Sequence, residues 1–357
     1  MNSEPGLLID IKDLKAYFYL RQGLVKAVDG ISFQIKRGKI LGLVGESGCG
    51  KSVTSRTLLR IEAPAKIVDG KISYFRHNEG SNPGSADDVT YINQLDPQGE
   101  TIRNIRGNEI SMIFQEPMTS FGPMHTIGNQ IEEVFLLHGL CKTNQEARDL
   151  TEIALRQVGM PRPDKIINQY PHQLSGGMRQ RAMIAMALAC QPKLLIADEP
   201  TTALDVTTEA QILDLIRELQ SSFGMAVLFI THSLAVVSKM ADEIIVMYLG
   251  KIAERASVDV LFYAPKHPYT QALMRSIPRV DREPGGKLEV IQGSISDPYT
   301  RPVGCYFHPR CLNHMPGICD VIEPAERVLE DGSTVYCHLY DDTSSANITN
   351  QKDSYER

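Results

Sequence analysis

Apolar positions fall along this chain in two rhythms. From residue 7 to 44 they come in short runs with partial alternation: Leu7–Ile11, Ala16–Leu20, Val25–Val28 and Ile31–Ile35. These runs predict strands of an antiparallel sheet that precedes the main core. Lys39–Val44 reads as a short buried strand, and Val53–Ile61 as a helix. Ile110–Phe114 is another β-rich run, and residues 125–192 are mostly helical by period. Leu194–Asp198 is continuously apolar and ends in carboxylates, as a buried parallel strand does. A helix near 206–222, a strand at Ala226–Ile230, a helix at about 233–240 and short strands ending at Tyr248 follow. Alternating strands and helices predict an α/β fold with a doubly wound, mostly parallel core.

The pattern also suggests boundaries. Residues 76–90 are polar and rich in turn formers, which marks a surface excursion. Beyond about 257, prolines become frequent (Pro265, Pro268, Pro278, Pro284). The expected division is therefore a core domain at 1–257, with a helical subdomain at about 116–192, and an extension at 258–340. The tail at 341–357 reads as disordered.

Composition narrows the partners. The 357 residues carry a net charge of -6 and no basic cluster, which argues against binding nucleic acid through its phosphates. No basic region followed by an apolar core opens the chain, so no signal peptide is expected. No run of about 18 apolar residues predicts a membrane span. A cytoplasmic protein is expected, and any membrane role then needs a partner. Seven cysteines in a reducing compartment do not form a disulfide framework.

Candidate chemistry begins at Gly45-Glu46-Ser47-Gly48-Cys49-Gly50-Lys51-Ser52, the G-x-x-x-x-G-K-[ST] pattern of a phosphate-binding loop between a strand and a helix. Its glycines let successive N–H groups turn inward, and the helix start adds positive potential. Lys51 would reach the β- and γ-phosphates and Ser52 would hold Mg²⁺. Asp198 would bind the metal through water, and Glu199 would act as general base. Leu174-Ser175-Gly176-Gly177-Met178-Arg179-Gln180-Arg181 precedes a strong helical run and reads as a second anion-binding helix end.

These stretches, in this order and spacing, resemble the ATP-binding subunits of ABC transporters over about residues 7–257. The fold implied is a P-loop ABC-type ATPase core, a mixed sheet plus helical subdomain, with a small Cys-rich C-terminal extension. By resemblance the nucleotide is ATP with Mg²⁺, gripped by Gly45, Ser47, Gly48, Cys49, Gly50, Lys51, Ser52 and Val53. Two such domains would pair head to tail, with Ser175, Gly176 and Gly177 on the partner's γ-phosphate. Gln115 resembles the glutamine that senses Mg²⁺, Ala203-Leu204-Asp205 resembles the loop that communicates across the dimer, and His232 resembles the switch histidine. Phe18, with Tyr17 as alternative, would stack on adenine. Ser233 stands where the family usually has Asp.

Gln115–Ser120, Tyr170–Gln173 and Lys266–Leu273 further resemble the peptide-type importers, although Phe121-Gly122-Pro123 departs from their usual Leu-Asn-Pro. That resemblance implies a related second ATPase subunit, two permease subunits, an extracytoplasmic substrate-binding protein and a place on the cytoplasmic face of the cell membrane. The groove between the Gln115 region and residues 125–170 would receive the permease helices. Relatives with oligosaccharide or nickel cargo share this ATPase type. A soluble ABC ATPase acting on ribosomes or DNA is the reading from another class; it usually has two cassettes, a coiled-coil insertion or a basic face, and the sequence has none of these.

Cys305, Cys311, Cys319 and Cys337 are separated by five, seven and seventeen residues. Four thiols so close in a reduced chain suggest a metal, and the missing Cys-x₂₋₄-Cys knuckle points away from zinc. Four cysteines can ligate a [4Fe–4S] cluster. The extension resembles that of peptide-type ATPases, some of which hold one. His308, His314 and His338 read as surface residues, with competing metal ligation as the alternative.

Overall fold

The computed structural model describes residues 6–76, 89–115, 120–202, 204–277, 291, 293–294 and 296–341. Most of the expected polar excursion (77–88), most of the tail (342–357), residues 116–119 and Ala203 lie outside them.

Two sheets organise the chain. The first is antiparallel, in the order β2-β1-β4-β5, and uses β1 (Leu7–Leu20), β2 (Gly23–Lys36), β4 (Lys66–Phe75) and β5 (Val89–Tyr91). The four short strands expected before residue 36 are in fact two strands of 14 residues each. The polar breaks do not end them because the ladder absorbs them as register shifts, one between Ile11 and Leu14. There Asp13 takes φ 46° and donates its N–H to Ser32 Oγ at 2.9 Å.

The second sheet has eight strands. Its centre, β9-β3-β8-β7-β6, is parallel: β3 (Ile40–Val44), β6 (Ile110–Ile113), β7 (Leu194–Asp198), β8 (Ala226–Thr231) and β9 (Glu243–Tyr248). These strands are almost wholly buried, which is why they read as unbroken apolar runs. Strand β10 (Lys251–Ser257) turns back antiparallel on β9. The edge is completed by β11 (Arg327–Val328) and β12 (Thr334–Val335), the latter paired with β10. Residues of the Cys-rich region thus extend the core sheet itself.

Helix α1 covers Lys51–Thr57 instead of the expected 53–61. It starts earlier because Gly50, at φ 105°, closes the loop in front of it. It stops earlier because the chain tightens into a turn, Leu58 N–H donating to Ser55 O and Arg60 taking φ 54°. The short α2 (Glu100–Ile105) precedes β6. The helical block then runs through α3 (Ile127–Leu137), α4 (Asn144–Gln157), the single turn α5 (Pro163–Ile166) and α6 (Gly176–Leu188). Ile127, Ile131 and Phe135, four residues apart, put one stripe of α3 into the core beside Ala147 and Leu155 of α4. A Thr143/Glu146 capping box fixes the start of α4. Helix α7 (Val206–Phe223) ends at Gly224, which takes the left-handed φ of 62°. Helices α8 (Leu234–Met240), α9 (Val258–Tyr263) and α10 (Pro268–Ser276) complete the fold. No helix among the described residues is long and apolar enough to cross a membrane.

The sequence Lys266–Leu273 has a local physical cause. Glu254 on β10, fully buried, accepts the N–H groups of Lys266 at 2.7 Å and His267 at 2.8 Å. His267 caps α10, its Nδ1 accepting from Tyr269 N–H at 3.0 Å, and Pro268 opens the helix where no N–H is needed. Burial pushes the His267 imidazole down to about 4. The unfolded chain therefore binds a proton that the native chain refuses. Stability is fully present above the unfolded value of about 6.5 and falls as pH drops towards 4, by up to about 3 kcal/mol. Urea melts at about pH 7.5 and 5 are expected to show this loss. In His267→Asn, which keeps a capping oxygen without the titration, the loss should be smaller.

Candidate nucleotide site

The loop from Gly45 to Ser52 leaves β3 and enters α1 at the carboxyl edge of the parallel strands, where open α/β sheets bind ligands. Two of its glycines are dictated by space. A Cβ on Gly45 would lie 2.3 Å from Met247 O, and one on Gly50 would lie 2.2 Å from Ala27 O. Gly48, at φ 81°, has nothing within 4 Å of a Cβ position, and with Ser47 it forms the exposed crest of the loop. Cys49 is buried against the sheet, and burial raises its thiol pKa. Val53 packs on the same core. The Lys51 ammonium is buried and lies 2.8 Å from Gly45 O and 3.1 Å from Glu46 O.

Strand β7 delivers the acids. The Ser52 hydroxyl donates to Asp198 Oδ1 at 3.1 Å, so the two groups expected around Mg²⁺ already face each other. Burial raises the Asp198 pKa, while the Ser52 hydrogen bond works the other way. A divalent cation placed there would offset the cost of that buried charge. Glu199 takes φ 47°, its N–H bound to Ile230 O at 2.9 Å. Its Oε2 accepts from Gln115 Nε2 at 3.0 Å and from the Thr202 hydroxyl at 3.1 Å. Its Oε1 lies 3.3 Å from His232 Nδ1. A water between Glu199 and a phosphate on the loop would meet a carboxylate oxygen held in place by its neighbours. The residue order alone does not point to Thr202. It follows Glu199 by three residues across a turn, and only the backbone path reveals it.

The chain matches the ABC transporter family over residues 28–202. It is 47% identical over 337 residues to the oligopeptide transport ATP-binding protein AppD of Bacillus subtilis, covering 94% of this chain and 97% of that protein. The chain belongs to the ATP-binding subunits of ABC transporters. ATP is the nucleotide of this ABC subunit, and its reaction is hydrolysis coupled to transport. It is also 43% identical to the dipeptide transport ATP-binding protein DppD of Escherichia coli, covering 93% of this chain and 96% of that one. Residues 253–319 match the C-terminal region of oligopeptide/dipeptide transporters. Among solved structures, the dimeric ABC transporter cassette MJ0796 superposes with a TM-score of 0.59 at 25% identity, covering 70% of this chain and 99% of that one.

The remaining expected residues of this ABC subunit fall in two other places. Phe18 and Tyr17 lie near the β1–β2 turn, both half-buried. The Tyr17 hydroxyl is engaged, donating to Asp29 at 2.5 Å, which leaves Phe18 as the less constrained ring. Ser175 caps α6, its Oγ accepting from Met178 N–H at 3.3 Å. Gly177 is tight against the first turn of α7, since a Cβ there would meet Thr208 Cγ2 at 2.8 Å. Asp205 caps α7 by accepting from Thr207 and Thr208 N–H at 3.1 and 3.0 Å. Ser175–Gly177 and the Asp205 loop are thus neighbours. Among the described residues no hydrogen bond or ion pair joins residues 175–177 to the phosphate loop of the same chain. Ser233, in place of the family's Asp, caps α8 with its Oγ on Val236 N–H at 3.3 Å.

The expected four-cysteine metal site is not supported by the described residues. Among the described residues, no three His, Cys, Asp or Glu side chains form a group able to hold a metal ion. His338 is not a surface residue: it is buried, with Nδ1 2.8 Å from Asp341 and Nε2 2.8 Å from Ile322 O.

Proposed function

We propose that this chain powers an importer of peptides from the cytoplasmic face of the membrane. Its partners there would be a second, related ATPase subunit, two permease subunits and an extracytoplasmic substrate-binding protein. The observation that carries this reading is the end-to-end likeness to AppD and DppD, named for oligopeptide and dipeptide transport, through the extension as well as the core. Head-to-tail pairing is supported by the likeness to the MJ0796 cassette, which is dimeric. In the pair, Ser175, Gly176 and Gly177 would cap the partner's ATP, with Asp205 at the seam. In each half Lys51, Ser52, Gln115 and Asp198 would hold the triphosphate and Mg²⁺. Glu199 would take the proton of the attacking water, and His232 would contact the γ-phosphate. The permease would dock on the face where Leu136 and Leu137 of α3 stand exposed beside Glu132 and Glu133, over a groove of about 570 Å³. The test is ATPase activity of the assembled complex in vesicles with its binding protein. Di- or oligopeptides are expected to stimulate turnover. Stimulation by oligosaccharides or nickel alone would replace the peptide assignment.

A [4Fe–4S] cluster on Cys305, Cys311, Cys319 and Cys337 belongs to the same proposal. Its support is the proximity of the thiols: burial pushes Cys305 up to about 11 and Cys337 to about 12, and the neighbouring cysteines add to both shifts, Cys311 and Cys319 at Cys305 and all three others at Cys337. A single ion needs its ligands touching it, whereas a four-iron cluster stands between thiolates that are further apart. When bound it would supply a structural tie or a sensor. Anaerobic purification followed by iron analysis checks this, and a folded protein without iron would remove it.

A further inference from the structure

The turn between Cys305 and Cys311 reaches both walls of the nucleotide site. On the phosphate side, the Arg310 guanidinium donates to both carboxylate oxygens of Glu46, at 2.8 and 3.2 Å. Glu46 is the second residue of the phosphate loop. The Arg310 side chain is only 4% exposed and that of Glu46 24%, so the guanidinium end of the pair is shielded from water while the carboxylate is half-buried. Glu46 is held a second time, its backbone N–H donating to the buried Tyr269 hydroxyl at 3.0 Å. Tyr269, Tyr248 and Phe307 pack ring against ring beneath it, with centroids 4.7 to 5.3 Å apart. The carbonyl of the same Glu46 contacts the Lys51 ammonium at 3.1 Å. Arg310, Glu46 and Lys51 thus form one continuous chain of contacts that ends on the phosphate-binding cation.

On the base side, the Tyr306 hydroxyl donates to Asp29 Oδ2 at 2.9 Å, while Tyr17 donates to Oδ1 of the same carboxylate. Tyr17 neighbours Phe18. Arg301 adds a hydrogen bond to Lys26 O, and Tyr299 OH donates to Gln22 Oε1 at 2.9 Å. The turn is itself fixed, Cys305 N–H donating to Cys319 O at 2.8 Å.

We propose that Arg310 and Tyr306 are positioning residues for ATP: through Glu46 and Asp29, one turn of the extension sets the phosphate loop and the adenine-side strand. A purely structural tether would lower stability without selecting between the two ends of the nucleotide. A positioning role separates them. The test uses the full chain and compares Arg310→Gln, Arg310→Lys and Tyr306→Phe. The readouts are displacement of a fluorescent ATP analogue by ATP and by inorganic triphosphate, KM and kcat in the assembled complex, and thermal melting. Arg310→Gln is expected to weaken ATP and triphosphate alike, about tenfold, and to raise KM with kcat within about twofold. Arg310→Lys, which keeps the charge but loses the fork, should recover part of that loss. Tyr306→Phe should weaken ATP by about threefold and leave triphosphate unchanged.

Unchanged ATP affinity in Arg310→Gln would overturn the proposal, as would equal loss of ATP and triphosphate in Tyr306→Phe. If Arg310→Gln does not fold, the Lys and Phe variants decide it. The inference rests on the ATPase reading but not on the cargo. Failure of the unaltered chain to bind ATP would strike that reading instead.

Discussion

Glu199→Gln is expected to lower ATP turnover by about 10²- to 10⁴-fold while ATP affinity changes little. The reason lies in how the two carboxylate oxygens are used. Oε2 is taken by two donors, Gln115 Nε2 and the Thr202 hydroxyl. Oε1, which faces His232, is the oxygen left to accept a proton from water. A glutamine keeps an oxygen towards both donors and so preserves the local structure, but it puts a non-basic amide at the reactive end. Binding survives because the phosphate loop is untouched. The measurement is single-turnover phosphate release alongside ATP affinity, in the assembled complex. Nucleotide should remain trapped between two subunits. Turnover within tenfold of the unaltered protein would move the base elsewhere.

Gly50→Ala is expected to be nearly as damaging, through the backbone. At φ 105° any L side chain is strained, at a cost of about 1–3 kcal/mol. The new Cβ would also lie 2.2 Å from the carbonyl oxygen of Ala27, which belongs to a strand and cannot swing aside. The loop must rotate, and the N–H groups at the start of α1 turn with it. Together these effects should remove about 2–4 kcal/mol of stability and most ATP binding. Gly48→Ala is the control. Its φ of 81° brings strain, but no atom lies within 4 Å of the added carbon, so its melting loss should be about 1–2 kcal/mol. Equal melting losses in the two variants would show that the contact with Ala27 yields easily.

The parallel core was legible because burial on both faces leaves its strands no choice but apolar residues, as in Leu194–Asp198. The site was legible because phosphate binding dictates glycines and a lysine at fixed spacing. What escaped was long-range. Strand β4 carries Asp69, Gly70 and Lys71 in its middle and shows no clean alternation; it is held there by its ladder with β1, while β5 pairs only with its end at Ser73–Phe75. The pairing of β12 with β10 joins residues about eighty positions apart, and two-residue strands leave no period to read. Arg310 and Tyr306 looked like ordinary members of a cysteine-rich segment. Their partners Glu46 and Asp29 lie more than 260 positions away, and no local pattern encodes such a distance.

The hold of Arg310 on Glu46 limits how freely cassettes can be recombined. The loop motif treats that second position as a wildcard, but in this chain another region has claimed it. A chimera that grafts a foreign loop with a neutral residue there would leave a guanidinium deep in the protein without its matching carboxylate. That mismatch costs about 3–5 kcal/mol, even though every motif glycine and the lysine were kept. Loop and extension are therefore best transplanted as a single unit.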